Sequence, residues 1–159
     1  MEAPARLIVD ADRLKDEGEH LTGSLPAEIL DLGNDDEICP KSGLFYDVFV
    51  QRLGDELLVR GKAWQRIWAL CSRCGGGFEW EARDDELTLS EQIVGENALI
   101  DLTEGIREGI IFALPAYPVC REDCSGLCMR CGKNLNTGSC SCQTAGGFES
   151  PWTALDGLK

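Results

Sequence analysis

The chain has 159 residues, 43% of them apolar and 27% charged, which is typical of a folded globular protein and excludes a largely disordered chain. The formal net charge is −13, and phosphate contacts require clustered lysine and arginine, so generic binding to nucleic acid is disfavoured. Any RNA contact must be local or go through a protein partner. No apolar run in the sequence approaches the roughly 18 residues that a membrane span needs, so we expect no membrane partner.

Nine cysteines are the most unusual feature of the composition. The first residues, Met1-Glu2-Ala3-Pro4, do not resemble an export signal, so we expect a cytoplasmic protein. In that reducing compartment, cysteines at this density indicate metal or redox chemistry and not disulfide bonds.

Residues 1–43 are expected to form an acidic N-terminal arm, because residues 1–38 hold 11 acidic and 3 basic side chains. The apolar residues from Leu7 to Val9 predict a strand, and Pro26 can begin a short helix. We interpret the acids of this arm as a solvated face, with an acidic partner-binding surface as the alternative.

Residues 44–70 predict two antiparallel strands, because Val, Phe, Tyr, Trp and Leu dominate and Gly54-Asp55 interrupts the run as a turn does. Further strands are predicted at residues 78–82 and 86–89. The acidic run at residues 83–85 is expected to be the turn between them, which gives an antiparallel meander.

A helix is predicted between residues 101 and 114, where apolar residues recur at a spacing of three or four. Asp101 is expected to cap this helix with Glu104 reaching back to the cap, and Pro115 is expected to end it. The predicted fold class is therefore α+β, with an antiparallel β-meander or a small barrel-like sheet packed on one main helix in residues 44–119.

The second strand of the predicted hairpin has two different faces. Its apolar face is expected to lie in the core and consists of Leu57, Val59, Gly61, Ala63, Ile67 and Ala69. Gln65 is interpreted as a polar position. The opposite face carries tryptophans among cations. Such a face is more often a second packing face, and the alternative is a basic, aromatic surface suited to RNA stacking. The residues of this opposite face are Arg60, Lys62, Trp64, Arg66 and Trp68.

Two cysteine pairs share the pattern C-x-x-C-G, at Cys71–Cys74 and at Cys128–Cys131. Two thiolates at this spacing form a tight turn whose backbone amides point at sulfur, and such turns supply half of a tetrahedral zinc site. Four more cysteines lie around the second pair, so eight thiols are available, as two four-thiolate sites require. These four are Cys120, Cys124, Cys140 and Cys142. Cys39 lies apart and is expected to be a free thiol.

The partition of the eight thiols between two metal ions is open from the sequence. The simplest partition gives the first pair and the next two cysteines one ion, and the last four cysteines the other. The rival joins the two matching pairs in one site, as in a zinc ribbon. Zn2+ is favoured for a tetrahedral thiolate set, with iron in a rubredoxin-like site as the alternative.

The expected metal sites are structural and not catalytic. All-cysteine sites are closed, whereas a catalytic zinc keeps an open position and recruits His or Glu. The only histidine, His20, lies far away in the acidic arm, and no nucleophile motif surrounds any serine. We therefore expect no enzyme and no small-molecule substrate.

The second half of the chain contains a series of runs that resemble the YceD family. The run from Ile100 to Cys120 looks like the helix and Leu-Pro exit of that family, and the run from Asp123 to Cys142 resembles its cysteine-bearing tail closely. The final run, Pro151 to Lys159, is similar to the family's last short helix. This resemblance predicts a zinc-binding tail at residues 120–159.

The resemblance implies a bacterial, noncatalytic role in 23S rRNA accumulation and large ribosomal subunit assembly. The implied partner is 23S rRNA, its precursor or a large-subunit assembly protein. Contacts are expected at the tryptophan-bearing face and at three cations of the tail, Arg121, Arg130 and Lys133. The alternatives are a zinc-ribbon module that binds or regulates a protein partner, and a thiol redox sensor. Glycine-flanked pairs near further cysteines fit metal better than a thioredoxin-like site.

Overall fold

The structure is a computed structural model that describes residues 6–32, 38–95 and 98–142. It is an α+β fold with antiparallel sheets and one α-helix in the described residues, as the sequence predicts. The strands are β1 (Ile8–Asp10), β2 (Glu19–Leu25), β3 (Ile38–Pro40), β4 (Leu44–Leu53), β5 (Glu56–Leu70), β6 (Gly77–Gln92) and β7 (Leu99–Asp101). The helices are a short 3-10 helix (Ala27–Leu30) and α1 (Thr103–Ala113).

The long strand β5 organises the five-stranded main sheet. β4 and then β3 pair along one side of β5, β6 pairs along the other side, and β2 pairs with β4. The predicted hairpin in residues 44–70 is confirmed. Its two strands meet at Gly54, whose φ of +65° is the left-handed conformation that a tight hairpin turn requires.

Strand β6 corrects the prediction of two short strands with a turn at residues 83–85. The strand runs unbroken, and its register against β5 shifts between Gly61 and Ala63. The acidic run forms a β-bulge, in which the Glu86 N–H donates to Asp84 Oδ1 at 3.0 Å. A bulge absorbs one extra residue without ending the strand pairing, so the polar run does not separate two strands.

Helix α1 packs its apolar side on β6 and β5. Leu102, Ile106 and Ile110 are fully buried, which confirms most of the predicted apolar stripe. The helix ends at Ala113, as the following Pro115 predicts.

The start of α1 differs from the predicted capping box. Asp101 belongs to β7, and its Oδ1 accepts the Thr103 N–H at 3.0 Å. Glu104 does not reach back to the start of the helix but pairs with Arg107 at 2.7 Å. A nearby cation therefore replaces the backbone N–H as the partner of this carboxylate.

The core lies between the inner face of the main sheet and α1. The inner face of β5 is buried as predicted, at Leu57, Val59, Ala63, Ile67 and Ala69. Gln65 lies on the same face and is fully buried, because residues two apart on a strand point to the same side. Its Nε2 donates to the Ser42 carbonyl at 2.7 Å, which partly satisfies the buried amide.

The N-terminal part of the chain contributes strands to both sheets. β1 is the strand predicted near Leu7, and it pairs with β7. β2 pairs with β4 over seven residues, and the 3-10 helix follows Pro26 where a short helix is predicted. Strands β2 and β3 are not predicted by the sequence analysis. The division of the chain at residues 43 and 119 stays a prediction.

Residues 114–142 form mainly loops and turns. One isolated β-bridge, between Leu127 and Asn134, occurs among the described residues. The final short helix predicted at residues 151–159 lies outside the described part of the chain. In the ranges that the structure describes, no helix has the length and apolar character of a membrane span.

Candidate metal centres

Eight cysteine thiols form two groups of four, and the four sulfur atoms of each group lie within 4.8 Å of one another. This grouping is the simplest partition considered from the sequence and not the zinc-ribbon partition. Centre 1 consists of Cys71, Cys74, Cys120 and Cys124. Centre 2 consists of Cys128, Cys131, Cys140 and Cys142.

The sulfur positions of centre 1 fit a tetrahedral metal ion. Zn–S bonds of about 2.3 Å place the corners of a tetrahedron about 3.8 Å apart. The sulfurs of Cys71 and Cys124 are 3.8 Å apart, and those of Cys74 and Cys120 are 3.9 Å apart. The spacing of these two sulfur pairs therefore matches the one that a tetrahedral zinc or iron ion requires.

The first two thiols of centre 1 lie in the turn between β5 and β6. The Gly75 N–H donates to the Cys71 carbonyl at 2.8 Å, and the φ of Gly75 is +66°. The Cys120 N–H points at the Cys71 sulfur at 3.4 Å. Within the turn itself, the backbone N–H groups of Arg73 and Cys74 also point at the Cys71 sulfur, as the C-x-x-C-G pattern predicts.

A loop after α1 supplies the other two thiols of centre 1, and backbone hydrogen bonds fasten it to the β5–β6 turn. The Ser72 N–H donates to the Pro118 carbonyl at 2.8 Å, and the Leu127 N–H donates to the Arg73 carbonyl at 3.1 Å. The Arg73 guanidinium donates to the Glu122 carbonyl at 2.8 Å. The protein itself therefore brings the two halves of centre 1 together.

Centre 2 is built on a second turn of the same kind. The Gly132 N–H donates to the Cys128 carbonyl at 2.8 Å with a φ of +71° at Gly132, and the Cys128 N–H donates to the Lys133 carbonyl at 2.8 Å. Lys133 Nζ donates to the Ser139 carbonyl at 2.8 Å, which holds the returning loop. The sulfurs of Cys128 and Cys140 lie 3.4 Å apart, close enough to share an ion.

Asn136 links the loop of centre 2 to a ligand of centre 1. Its Nδ2 donates to the Cys124 sulfur at 3.3 Å. Its Oδ1 accepts the Ser125 N–H at 2.9 Å and an Arg121 N–H at 2.8 Å. The sequence does not predict this role of Asn136, since no spacing rule marks an amide that acts through contacts across a loop.

The electrostatics of each centre favour a bound cation. Burial opposes ionisation of Cys71, but N–H groups of Cys120 and Cys74 outweigh it and lower the pKa of this thiol to about 6. The N–H groups of Cys131 and Arg130 lower the pKa of Cys128 to about 6. One thiol of each centre therefore ionises readily, as metal ligation requires.

Neighbouring thiols resist a second ionisation. Burial, together with the hydrogen bond to Cys124, raises the pKa of Cys120 to about 12. The hydrogen bond to Cys131 and burial raise the pKa of Cys142 to about 12. Like charges this close disfavour one another, and a divalent ion between the sulfurs removes that penalty.

The two centres differ in exposure. Cys71, Cys74 and Cys124 are 2%, 9% and 6% exposed, and Val119 and Phe78 pack against this group. All members of centre 2 are half-buried or exposed. Solvent and chelators therefore reach centre 2 more easily than centre 1.

Cys39 belongs to neither centre. It lies half-buried on β3, opposite Trp68 of β5. Its role as a free thiol stays a prediction, and its position makes it a suitable control in cysteine substitutions.

The residues predicted to contact RNA on β5 share the sheet face that points away from the core. We call this surface the outer face, and it includes Phe45 of β4, which the sequence analysis does not single out. Phe45 is 39% exposed, and its ring stacks on Trp64 with a centroid distance of 5.9 Å. The other members of the outer face are Arg60, Lys62, Arg66 and Trp68.

The three tail cations predicted to contact RNA lie in the loops around the metal centres. Arg121 bonds to Asn136 and pairs with Asp123 at 3.2 Å, and Lys133 bonds to a carbonyl within centre 2. Arg130 lies in the turn of centre 2. Arg121 and Lys133 hold the loops of the centres, so an RNA contact at the tail stays a prediction.

The fold and the two centres define a small α+β protein with two clusters of four cysteine thiols, each able to hold a metal ion. The family model described as large ribosomal RNA subunit accumulation protein YceD matches residues 77–159. The chain belongs to the YceD family, as the resemblance indicates. The matched range contains β6, α1 and six of the eight thiols of the two centres.

The similar proteins include relatives from mycobacteria and a plant. An uncharacterized protein of Mycobacterium leprae is 29% identical over 103 residues, which cover 56% of this chain and 48% of the relative. An uncharacterized protein of Mycobacterium tuberculosis is 30% identical over 103 residues, which cover 56% of this chain and 50% of the relative. The chloroplastic large ribosomal RNA subunit accumulation protein YCED homolog 1 of Zea mays is 44% identical over 45 residues. These cover 28% of this chain and 15% of the relative.

The chain spans about half the length of the mycobacterial relatives it matches. No solved structure matches it.

Proposed function

We propose that this protein is a noncatalytic cytoplasmic factor that supports the accumulation of 23S rRNA and the assembly of the large ribosomal subunit. The observation that carries the proposal is the family match over residues 77–159, since the family and the maize relative are both described by large ribosomal RNA subunit accumulation. The proposed partner is 23S rRNA, its precursor or a protein of large-subunit assembly.

Two structural Zn2+ ions are part of the proposal. Each centre offers four thiols, which complete a tetrahedral shell and leave no open position for water or substrate. Zinc is preferred to iron because structural sites with four cysteine ligands are typically zinc sites. The ions stabilise a segment that has little regular secondary structure of its own, so their binding free energy becomes folding free energy.

The test of the function is a deletion of the gene in the source organism. The expected result is a lower ratio of mature 23S to 16S rRNA, with large-subunit precursors accumulating on sucrose gradients. A wild-type copy restores the ratio, whereas a Cys128→Ser, Cys131→Ser copy does not because centre 2 is lost. Cys39→Ser is the matched control, since Cys39 lies outside both centres, and it restores the ratio fully.

Unchanged 23S rRNA in the deletion strain contradicts the proposal. Full rescue by the double cysteine variant, with both ions still bound to it, contradicts the metal assignment. A third outcome is that the deletion lowers the ratio of 23S to 16S rRNA but the double cysteine variant restores it without an ion in centre 2. Centre 2 would then stabilise the protein without being needed for 23S rRNA accumulation.

A protein-interaction module is the second candidate function, and exposed apolar side chains favour it. Phe112 on α1 and Tyr117 after it are 85% and 81% exposed, and Met129 in centre 2 is 92% exposed. Large exposed apolar side chains of this kind mark protein interfaces when they form a patch. Salt-insensitive capture of one large-subunit assembly protein, abolished by Phe112→Asp, supports this candidate over direct rRNA contact.

A further inference from the structure

The outer face carries a row of stacked groups across three strands. Phe45, Trp64 and Arg83 are register partners on β4, β5 and β6. The rings of Phe45 and Trp64 are close to parallel, with an angle of 18° between their planes. The Arg83 guanidinium lies 5.6 Å from the centre of the Trp64 ring. Trp64 is therefore packed from both neighbouring strands, and Phe45 ends the row.

A shallow trough of about 410 Å³ begins where the row ends, on the β2 side of Phe45. Thr22 and Ser24 of β2 and Asp47 of β4 line it beside the ring. Their hydroxyl and carboxylate groups can donate to and accept from the edge of a planar ligand. A flat ring placed in the trough against Phe45 would extend the existing row by one member.

Cations follow β5 beside this row. Arg60 and Arg66 are exposed, and neither forms an ion pair with another described residue. On this face of β5 the two arginines flank Lys62 and Trp64, and successive side chains lie about 7 Å apart. Lys41 lies 5.8 Å from the centre of the Trp68 ring and adds a further cation at the end of β5.

The acids of the outer face lie mainly on its β6 side. Arg83 binds two of them, Glu81 at 3.0 Å and Asp85 at 2.6 Å. Asp47 in the trough pairs with Lys62 at 3.5 Å. Arg60 and Arg66 therefore remain available to an anionic ligand, although the chain as a whole carries a charge of −13.

Exposed rings beside spaced cations match the chemistry of unpaired nucleotides. Bases stack on aromatic side chains only when they are not paired within a duplex, and phosphates follow cations along a groove. Duplex RNA hides its bases and depends on a denser cluster of cations than this acidic chain provides. The combination favours single-stranded RNA over duplex RNA.

We infer that the outer face binds an unpaired RNA segment, with a base stacked on Phe45 in the trough and phosphates at Arg60 and Arg66. The inference rests on the proposed function and names the class of ligand that this face takes. Phe45, Lys41 and Arg83 are new members of the site, and none of them lies in the cysteine-bearing tail. The metal centres position the tail and have no contact role in this interaction.

The test measures binding of the metal-loaded full chain to a labelled, unstructured RNA of about 12 nucleotides, within the range of known single-strand sites. Phe45→Leu is expected to weaken binding by between about 5-fold and 150-fold, since one stack contributes about 1–3 kcal/mol. The control is Phe112→Leu, which removes a more exposed ring from α1, away from the outer face, and leaves binding within about twofold of wild type.

The cations are tested by salt dependence. The Arg60→Gln, Arg66→Gln variant is expected to weaken binding and to reduce the slope of log K against log salt by about 1.4, because each phosphate contact contributes about 0.7 for a single strand. Arg6→Gln, Arg13→Gln is the control, since these exposed arginines lie near β1. The same RNA annealed to its complement is expected to bind at least about 10-fold more weakly.

Equal binding of duplex and single strand, or equal affinities of the Phe45→Leu and Phe112→Leu variants, overturns the inference. Absence of RNA binding together with capture of a large-subunit protein that Phe45→Leu abolishes assigns the face to a protein and also overturns it. Circular dichroism and metal content of each variant show that the fold is intact. If the inference fails while the deletion strain still loses 23S rRNA, the proposed function stands without this surface.

Discussion

Replacing Asn136 with alanine tests how the two metal centres depend on each other. The substitution removes the donor to the Cys124 sulfur and both contacts of Oδ1, to Ser125 and Arg121. Outer contacts of this kind typically change metal affinity by about 10-fold to 100-fold, which corresponds to about 1.4–2.7 kcal/mol. Because the contact is to centre 1, the loss is expected there although Asn136 belongs to the loop of centre 2.

The pH dependence of metal release gives the same test a second readout. Burial opposes the thiolate of Cys124 and the Asn136 amide favours it, and on balance the pKa of this thiol is lowered. Losing the amide raises that pKa, so protons compete with the metal more strongly. Metal release from centre 1 is expected to begin at a higher pH in Asn136→Ala than in wild type.

The assay is competition with a chromophoric chelator, with the ions that remain counted by native mass spectrometry. Thr137→Ala is the matched control, since Thr137 is an exposed neighbour whose hydroxyl donates to the Asn134 carbonyl. Asn136→Asp keeps the acceptor contacts but loses the donor, so it separates the contact to sulfur from the loop contacts. Unchanged affinity in both Asn136 variants, or weakening of centre 2 alone, refutes the reasoning.

Three further predictions follow from burial and packing. Chelator is expected to remove the ion of centre 2 before that of centre 1, so that alkylation reaches Cys131 while Cys71 is still protected; simultaneous loss would contradict this. Thr103→Val is expected to lower the free energy of unfolding by about 1–3 kcal/mol in urea titrations, because Thr103 Oγ1 accepts a buried backbone N–H at 2.8 Å, whereas Thr103→Ser keeps the bond and costs less. Gly61→Ala is expected to lower the free energy of unfolding by about 1–3 kcal/mol and the melting temperature by several degrees, because a Cβ at this position meets the backbone of β4. An unchanged melting curve would contradict this prediction.

The strand pairs with the strongest periodicity are the parts of the fold that the sequence predicts. The β4–β5 hairpin has alternating apolar residues and a Gly54 turn, and both are local features. Strand β2 contains His20, Thr22, Gly23 and Ser24, and these polar residues do not give a strand pattern. Among the described residues β2 lies at the edge of the main sheet and pairs with β4, so much of it faces solvent. Its pairing with β4 depends on tertiary contacts, which local strand propensity does not determine.

Buried polar positions show a second limit of local patterns. Composition assigns Gln65 to the polar face, whereas the period of two places it in the core. The amide is tolerated because Ser42 and Ala27 supply carbonyl acceptors from distant parts of the chain. A single sequence contains no sign of such acceptors.

The cysteine spacing identifies the eight candidate ligands but does not decide which of them share an ion. Both C-x-x-C-G turns are local and form as predicted. The partition depends on where the loop after α1 returns to the sheet, and the hydrogen bonds from Ser72 and to Arg73 fix that return. The outer face likewise depends on tertiary structure, since Phe45 and Trp64 become neighbours through the register of β4 against β5.

The most direct test of the metal-centre account is native mass spectrometry of the purified chain combined with X-ray absorption at the zinc edge. The account predicts two zinc ions per chain, each with four sulfur neighbours at about 2.3 Å. It further predicts that Cys71→Ser and Cys128→Ser each remove one different ion. A chain without stoichiometric metal, with its thiols paired as disulfides, would contradict it.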